Sequence, residues 1–174
     1  MNKYNVIHLD IASVWDFHKE DLVESIKERV CKDFKKKYLV IADGKFEKNK
    51  GTLEDYLLKN EKTNTSKVVK EGTKNAKLAI LDYEVLKYNE EINLSVVKVN
   101  LHTGRHHQIR VQMANAGHSI CGDHKYGTRG RGKQICLWAY ELTILHPITK
   151  EEMTFKVLPE CIGGWKQLED IPNL

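Results

Sequence analysis

The apolar positions along this chain change period several times, and each change marks an element. In 18–33, HKEDLVESIKERVCKD, Leu22, Ile26 and Val30 recur every four residues with charges between them. That period predicts an amphipathic helix with one buried stripe. The apolar run Tyr38-Leu39-Val40-Ile41-Ala42, ended by Asp43-Gly44, predicts a strand leading into a turn. Residues 45–75 are rich in Lys, Asn and Thr and predict a polar excursion, shaped as a hairpin, with Leu53, Tyr56, Leu57 and Leu58 packing back. Two strands follow at 76–88 and 92–101, joined by Asn89-Glu90-Glu91. Val97, Val99 and Leu101 alternate with Lys98 and Asn100, the pattern of a sheet with one wet face. Residues 105–116 predict a helix, with Thr103 near its start, Gly117 just past its end, and Ile109 and Met113 facing the core. Two more strands are predicted at 134–146, ended by Pro147, and at 153–157, stopped by Pro159. Strands separated mostly by turns imply an α+β fold, a mainly antiparallel mixed sheet with a few flanking helices.

Length and composition narrow the class. The 174 residues are expected to form a single domain, 1–174. No run approaches the roughly 18 apolar residues of a membrane span. The first residues, MNKYNVIHLDIASVWDF, lack the apolar run and cleavage site of a secretory leader. Cys31, Cys121, Cys136 and Cys161 are widely spaced and form no C-x-x-C, as in a cytoplasmic protein with reduced thiols.

Charge changes the picture more. The net charge is +4, but residues 101–133 hold Arg105, Arg110, Lys125, Arg129, Arg131 and Lys133 against one acid, Asp123. The other 141 residues carry 22 basic and 23 acidic groups. A basic cluster on a balanced chain suggests a polyanion, most often nucleic acid; the alternative is a solubilising loop.

Several patterns in this segment imitate known sites. Gly127 to Lys133 fits most of a phosphate-binding loop, but Gln134 stands where the magnesium-holding hydroxyl belongs, and a strand follows instead of a helix. His118-x-x-Cys121-x-x-His124 has metal-like spacing, yet its glycines read as a turn and a fourth ligand must come from afar, so no metal is expected. His102 and His106 share a helix face only if the helix begins before Thr103-Gly104.

The run 101–127, LHTGRHHQIRVQMANAGHSICGDHKYG, says more. Thr103-Gly104 closes a strand and opens a helix carrying Arg105, His107, Gln108 and Arg110 in its first two turns, donors well placed for an anion. Arg110 lies beside Ile109 and Met113, so its stem is expected to be partly buried, and a buried guanidinium needs a carboxylate. That pairing serves either a structural ion pair or a reacting site.

Thr103-Gly104-Arg105-His106-His107-Gln108-Ile109-Arg110 resembles the T-G-R-x-H-Q-I-R motif of RluA-like pseudouridine synthases. Gly117-x-x-x-x-Gly122-Asp123-x-x-Tyr126-Gly127 is similar to that family's G-x-P-I-x-G-D-x-x-Y-G, and Lys37-Tyr38-Leu39 to its K-x-Y-L strand. The resemblance covers about 34–165, leaving 1–33 as a divergent N-terminus. It implies a pseudouridine-synthase-like catalytic domain that converts uridine to pseudouridine in structured ribosomal or transfer RNA, without cofactor or metal. It also implies an indispensable aspartate, Arg110 as the partner holding it ionised, and Tyr38 stacking on the target uracil. The target base must leave its stack to be reached. Arg105, His107, Gln108, Lys125, Arg129, Arg131 and Lys133 would contact RNA, mainly at phosphates.

The aspartate is where this chain departs from the pattern. The family's H-R-L-D-x-x-T-S-G is matched only by Ile7-His8-Leu9-Asp10, with His8 in place of Arg and no glycine after it. Asp10 is therefore the candidate, as nucleophile or base, ahead of Asp16, Asp21 and Asp33 and against a purely structural reading. Nine residues precede it, where the family usually has strands of the sheet. The expectation is a monomeric, cytoplasmic enzyme; the alternative is a non-catalytic relative that binds RNA after losing the complete site.

Overall fold

The structure, a computed structural model, describes residues 34–127, 132, 134–146, 149–169 and 171. The helix expected at 18–33 and Asp10 lie outside them, as do Arg129, Arg131 and Lys133.

The chain divides into two units. The larger holds Lys36–Glu141 with Val157–Leu174, and the smaller holds Met1–Lys35 with Leu142–Lys156. The strands are β1 (Phe34–Asp43), β2 (Lys50–Asn60), β3 (Thr65–Val69), β4 (Lys77–Asn89), β5 (Leu94–Leu101), β6 (Leu137–Leu145) and β7 (Glu152–Lys156). One helix, α1 (Gln108–Asn115), and a 3-10 helix (Gly163–Leu168) accompany them. In the larger unit the strands lie in the order β3-β2-β4-β5-β1-β6. The end of β6, from Leu142, belongs to the smaller unit, where β7 is its neighbour. Each resolved pairing (β1 with β5, β2 with β3 and β4, β4 with β5) is antiparallel. The expected fold class is the one found.

Alternation along β1 sorts the core into two faces. Val40 and Ala42 join Leu81, Val97 and Val99 in one cluster, to which α1 adds Ile109 and Met113. Leu39 and Ile41 point the other way, into a cluster with Leu94, Val96, Tyr140 and Leu168 of the 3-10 helix. Tyr38 packs against the first cluster, so it shares the α1 face of the sheet. An eight-residue helix is marginal on its own. Its persistence comes from buried Ile109, Val111 and Met113, at about 1.5–3 kcal/mol for each large apolar side chain buried. Gln112 adds an amide bridge from α1 to the Leu53 and Ala79 carbonyls and to Asp55.

Both ends of α1 explain themselves. Gly117 stands at φ +84 just after the C-cap, Ala116. The N–H groups of Gly117 and His118 return to the Ala114 and Met113 carbonyls, a Schellman ending. The start falls later than expected: His107 is the N-cap, in the left-handed region at φ 55, with no side-chain cap. The cause is Gln108, whose side chain folds back into the preceding loop. Its Oε1 accepts from the Arg105 N–H and the Thr103 hydroxyl, both at 2.9 Å, and its Nε2 donates to the Ile80 carbonyl at 3.0 Å. Thr103 itself receives the Ile80 N–H at 2.8 Å, so it ties the loop to β4 rather than capping the helix.

Residues 45–75 do contain a hairpin, β2–β3. Leu57 is buried in a third cluster with Ala79 and Val111, and Leu53 packs on the first. Tyr56 instead turns its hydroxyl to Glu71, at 2.6 Å.

Candidate functional site

The run Thr103–Arg110 and the turn at Gly122–Gly127 meet at one ion pair. Arg110, in the first turn of α1, donates from Nε to Asp123 Oδ2 at 2.8 Å and from Nη2 to Oδ1 at 2.7 Å. This is a bidentate fork, the strong form of a guanidinium–carboxylate contact. Asp123 is 1% exposed at its side chain and Arg110 21%. Burial alone pushes the Asp123 carboxyl up, but Arg110 and the N–H groups of Tyr126 and Lys125 outweigh it, so the carboxyl sits below its ordinary value. The same bond raises the Arg110 guanidinium above its own.

Asp123 also builds the turn it stands on. Its Oδ1 accepts from the Lys125 and Tyr126 N–H groups at 2.9 and 3.1 Å, and its carbonyl accepts from Gly127 N–H at 2.8 Å. The glycines around it are steric requirements. At Gly122, φ +76, a Cβ would lie 2.1 Å from the Gln134 carbonyl oxygen; at Gly127 it would lie 2.7 Å from that of Asp123.

Tyr126 carries the turn back to α1 and across to β3. Its ring lies under the Arg110 guanidinium, 5.0 Å from carbon to centroid. Its hydroxyl accepts the Ser66 N–H at 2.8 Å and stands 2.8 Å from His107 Nδ1. Either the hydroxyl or a protonated Nδ1 donates in this second bond, according to the His107 tautomer. Burial first, then His106, Arg110 and Lys125, bring His107 down to about 4, so it is neutral near pH 7. The His106 ring lies tilted against that of His107, with centroids 3.8 Å apart, and points Nδ1 at Ser66 Oγ, 3.0 Å away.

The other expected site residues divide. Tyr38 is half-buried on β1, and burial raises its phenol above the ordinary value. Arg105 donates Nε to the Leu78 carbonyl at 2.8 Å. Lys125 donates Nζ to the Asn64 carbonyl at 3.0 Å. Gln108 is 3% exposed, with its amide spent inside the loop. Asp10, Arg129, Arg131 and Lys133 fall outside the described residues. His118 of the metal-like pattern stacks on Phe46 and donates Nδ1 to the Asp43 carbonyl, and His102 pairs with Asp82.

The sequence reading missed Asp123 as the partner of Arg110. The signal was present, because Asp123 is the one acid of the basic segment 101–133. It also missed Tyr126 and Ser66. Ser66 left no signal, since it lies 60 residues before Tyr126 and reaches it only through the β2–β3 hairpin.

The RNA pseudouridylate synthase family model matches residues 20–115. The chain belongs to this family, as an RluA-like member. An uncharacterized RNA pseudouridine synthase of Bacillus subtilis, YhcT, is 34% identical over 82% of this chain and 47% of its own length. The tRNA pseudouridine synthase C of Haemophilus influenzae is 30% identical over 84% of this chain and 70% of its own. The dual-specificity RNA pseudouridine synthase RluA of the same organism is 44% identical over 45% of this chain. Among solved structures, human RNA pseudouridylate synthase domain containing 1 superposes with a TM-score of 0.66 at 22% identity, over 86% of this chain and 64% of that one. The chain spans less than half the length of YhcT and of a similar Aquifex aeolicus synthase, 47% and 45% respectively. Among the described residues no helix is long and apolar enough to cross a membrane.

Proposed function

We propose that this chain isomerises uridine to pseudouridine in structured ribosomal or transfer RNA, as a cytoplasmic monomer. The C1′–N1 glycosidic bond breaks and a C1′–C5 bond forms; the proton lost from C5 is matched by one gained at N1. One observation carries the reading. Arg110 commits Nε and Nη2 to Asp123, while among the described residues Nη1 has no hydrogen-bond partner. A guanidinium anchored on one edge keeps donors on the other for a second carboxylate. Asp10 is assigned that place, as nucleophile or base, with Arg110 holding it ionised. Tyr38, on the α1 face of the sheet, is assigned the stacking contact with the uracil.

The remaining roles follow from chemistry. Arg105, His107 and Lys125, with Arg129, Arg131 and Lys133, are assigned to RNA contact, the cations mainly at phosphates. Gln108 acts from inside, holding the loop that presents Arg105. No oxidant, reductant or co-substrate is consumed, because the reaction is an isomerisation.

The test is tritium release from RNA labelled at uridine C5. Wild type is expected to release label, Asp10→Ala none, and Arg110→Lys far less than wild type, since lysine cannot serve two carboxylates as a planar fork. Release that survives in Asp10→Ala would move the reaction to another carboxylate. No release by wild type from ribosomal and transfer RNA, with binding retained, would replace the enzyme by an RNA-binding relative.

A further inference from the structure

The β2–β3 hairpin is fastened to the site by more than its strands. Its tip gives the Asn64 carbonyl to Lys125, and its second strand gives Ser66 N–H to Tyr126 and Ser66 Oγ to His106. Register decides which other side chains share that face. Lys59 stands directly opposite Ser66, and Leu57 opposite Val68. Leu57 and Val68 pack with Val111 and Tyr126, so this is the α1 face, and Lys59 projects on it beside Ser66. Lys67, opposite Leu58, projects on the other face.

Three cationic or hydrogen-bonding groups therefore border one spot: Lys59, His106 and Lys125. Lys125 spends one ammonium proton on Asn64 and keeps two. His106 has Nδ1 directed at Ser66, which leaves Nε2. The charges of Lys59, Lys125 and Arg110 all act on the His106 ring, and after burial they are what pull it below its ordinary value, against Glu61. The acids nearby do not cancel this field. Asp123 is consumed by Arg110. Glu61 pairs with Lys59 at 2.7 Å, but its side chain is 78% exposed and that of Lys59 39%. An exposed pair of this kind is weak, so Lys59 is easily released to a stronger anion.

We infer that Lys59, His106 and Lys125 form a phosphate-binding shoulder for the RNA strand that flanks the target uridine. A phosphodiester supplies what this spot lacks: a compact anion with several acceptor oxygens. The hairpin's hydrogen bonds set the shoulder's position, so it acts as a fixed ruler from Arg110 to the neighbouring backbone. The inference rests on the RNA-modifying reading and extends it to β2, which none of the sequence motifs touches.

The experiment compares the full chain with Lys59→Gln and Lys67→Gln, which make the same charge change on opposite faces of the hairpin. The probe is a fluorescein-labelled RNA stem-loop with uridines in its loop, read by anisotropy over a series of salt concentrations. Lys59→Gln is expected to bind about 3- to 10-fold more weakly, with a salt slope shallower by about one, as for one lost phosphate contact. Lys67→Gln is expected to match wild type. An unchanged Lys59→Gln, or equal losses in both variants, would overturn the shoulder. Loss on Lys59→Gln alone, with no tritium release by wild type, keeps the shoulder and removes the reaction. Tritium release by wild type with a silent Lys59→Gln removes the shoulder and keeps the reaction.

Discussion

Replacing Asp123 by Asn removes a charge and almost no volume, so it isolates the electrostatics of the Arg110 pair. In the variant the amide oxygen can still receive the Lys125 and Tyr126 N–H groups. The amide nitrogen then faces the guanidinium, donor against donor. Removing one partner of a buried ion pair costs about 3–5 kcal/mol. Arg110 keeps 21% side-chain exposure, so water shares the burden. The low end, about 3 kcal/mol, is the expected loss. Asp123→Ala also orphans two backbone donors, at about 1 kcal/mol each, and is expected to lose about 5 kcal/mol. Against a typical total of about 5–15 kcal/mol, the Asn variant stays folded and measurable. The assay is urea unfolding followed by tryptophan fluorescence across pH. Asp123 titrates below its ordinary 3.8 in the folded chain. Its contribution is therefore fully present above that value and is lost as pH falls through the folded one. The gap between wild type and Asp123→Asn should be constant from about pH 7 to 5 and close below about pH 4. A gap under about 1 kcal/mol at neutral pH, or one that persists unchanged into acid, would refute the assignment of Asp123 as the paired carboxylate.

Other expectations rest on separate contacts. In a histidine NMR titration, His107 should protonate near about 4, with the folded chain gaining stability as pH rises from there toward its unfolded value of about 6.5; titration at 6.5 would contradict its burial and the Tyr126 bond. Tyr126→Phe keeps the ring under Arg110 but strands the Ser66 N–H, so denaturation should show a loss of about 1–3 kcal/mol; none would mean that water replaces the hydroxyl. Gly122→Ala meets a backbone oxygen at 2.1 Å, whereas Gly117→Ala meets nothing within 4 Å and pays only for its positive φ. The second should therefore cost about 1–2 kcal/mol and the first clearly more; equal losses would remove the steric argument.

Much of this protein could be read from the chain before any coordinates. The strands of the sheet, the Schellman stop at Gly117 and the α+β class follow from local periodicity and turn chemistry, which act over a few residues. Arg105 to Arg110 and Gly122 to Gly127 could be recognised because each motif is contiguous. What tertiary structure decided are the partners. A bidentate fork needs two groups at hydrogen-bond distance, and spacing of 13 residues between Arg110 and Asp123 does not state whether the turn brings them together. The late start of α1 depended on Gln108 turning inward to Ile80 on β4. The joining of Ser66, His106, His107 and Tyr126 depended on a hairpin register in which a slip of one residue would send Ser66 and Lys59 to the other face of the sheet. Local physics wrote the elements into the sequence; the site came from which side chains those elements brought within reach of Arg110.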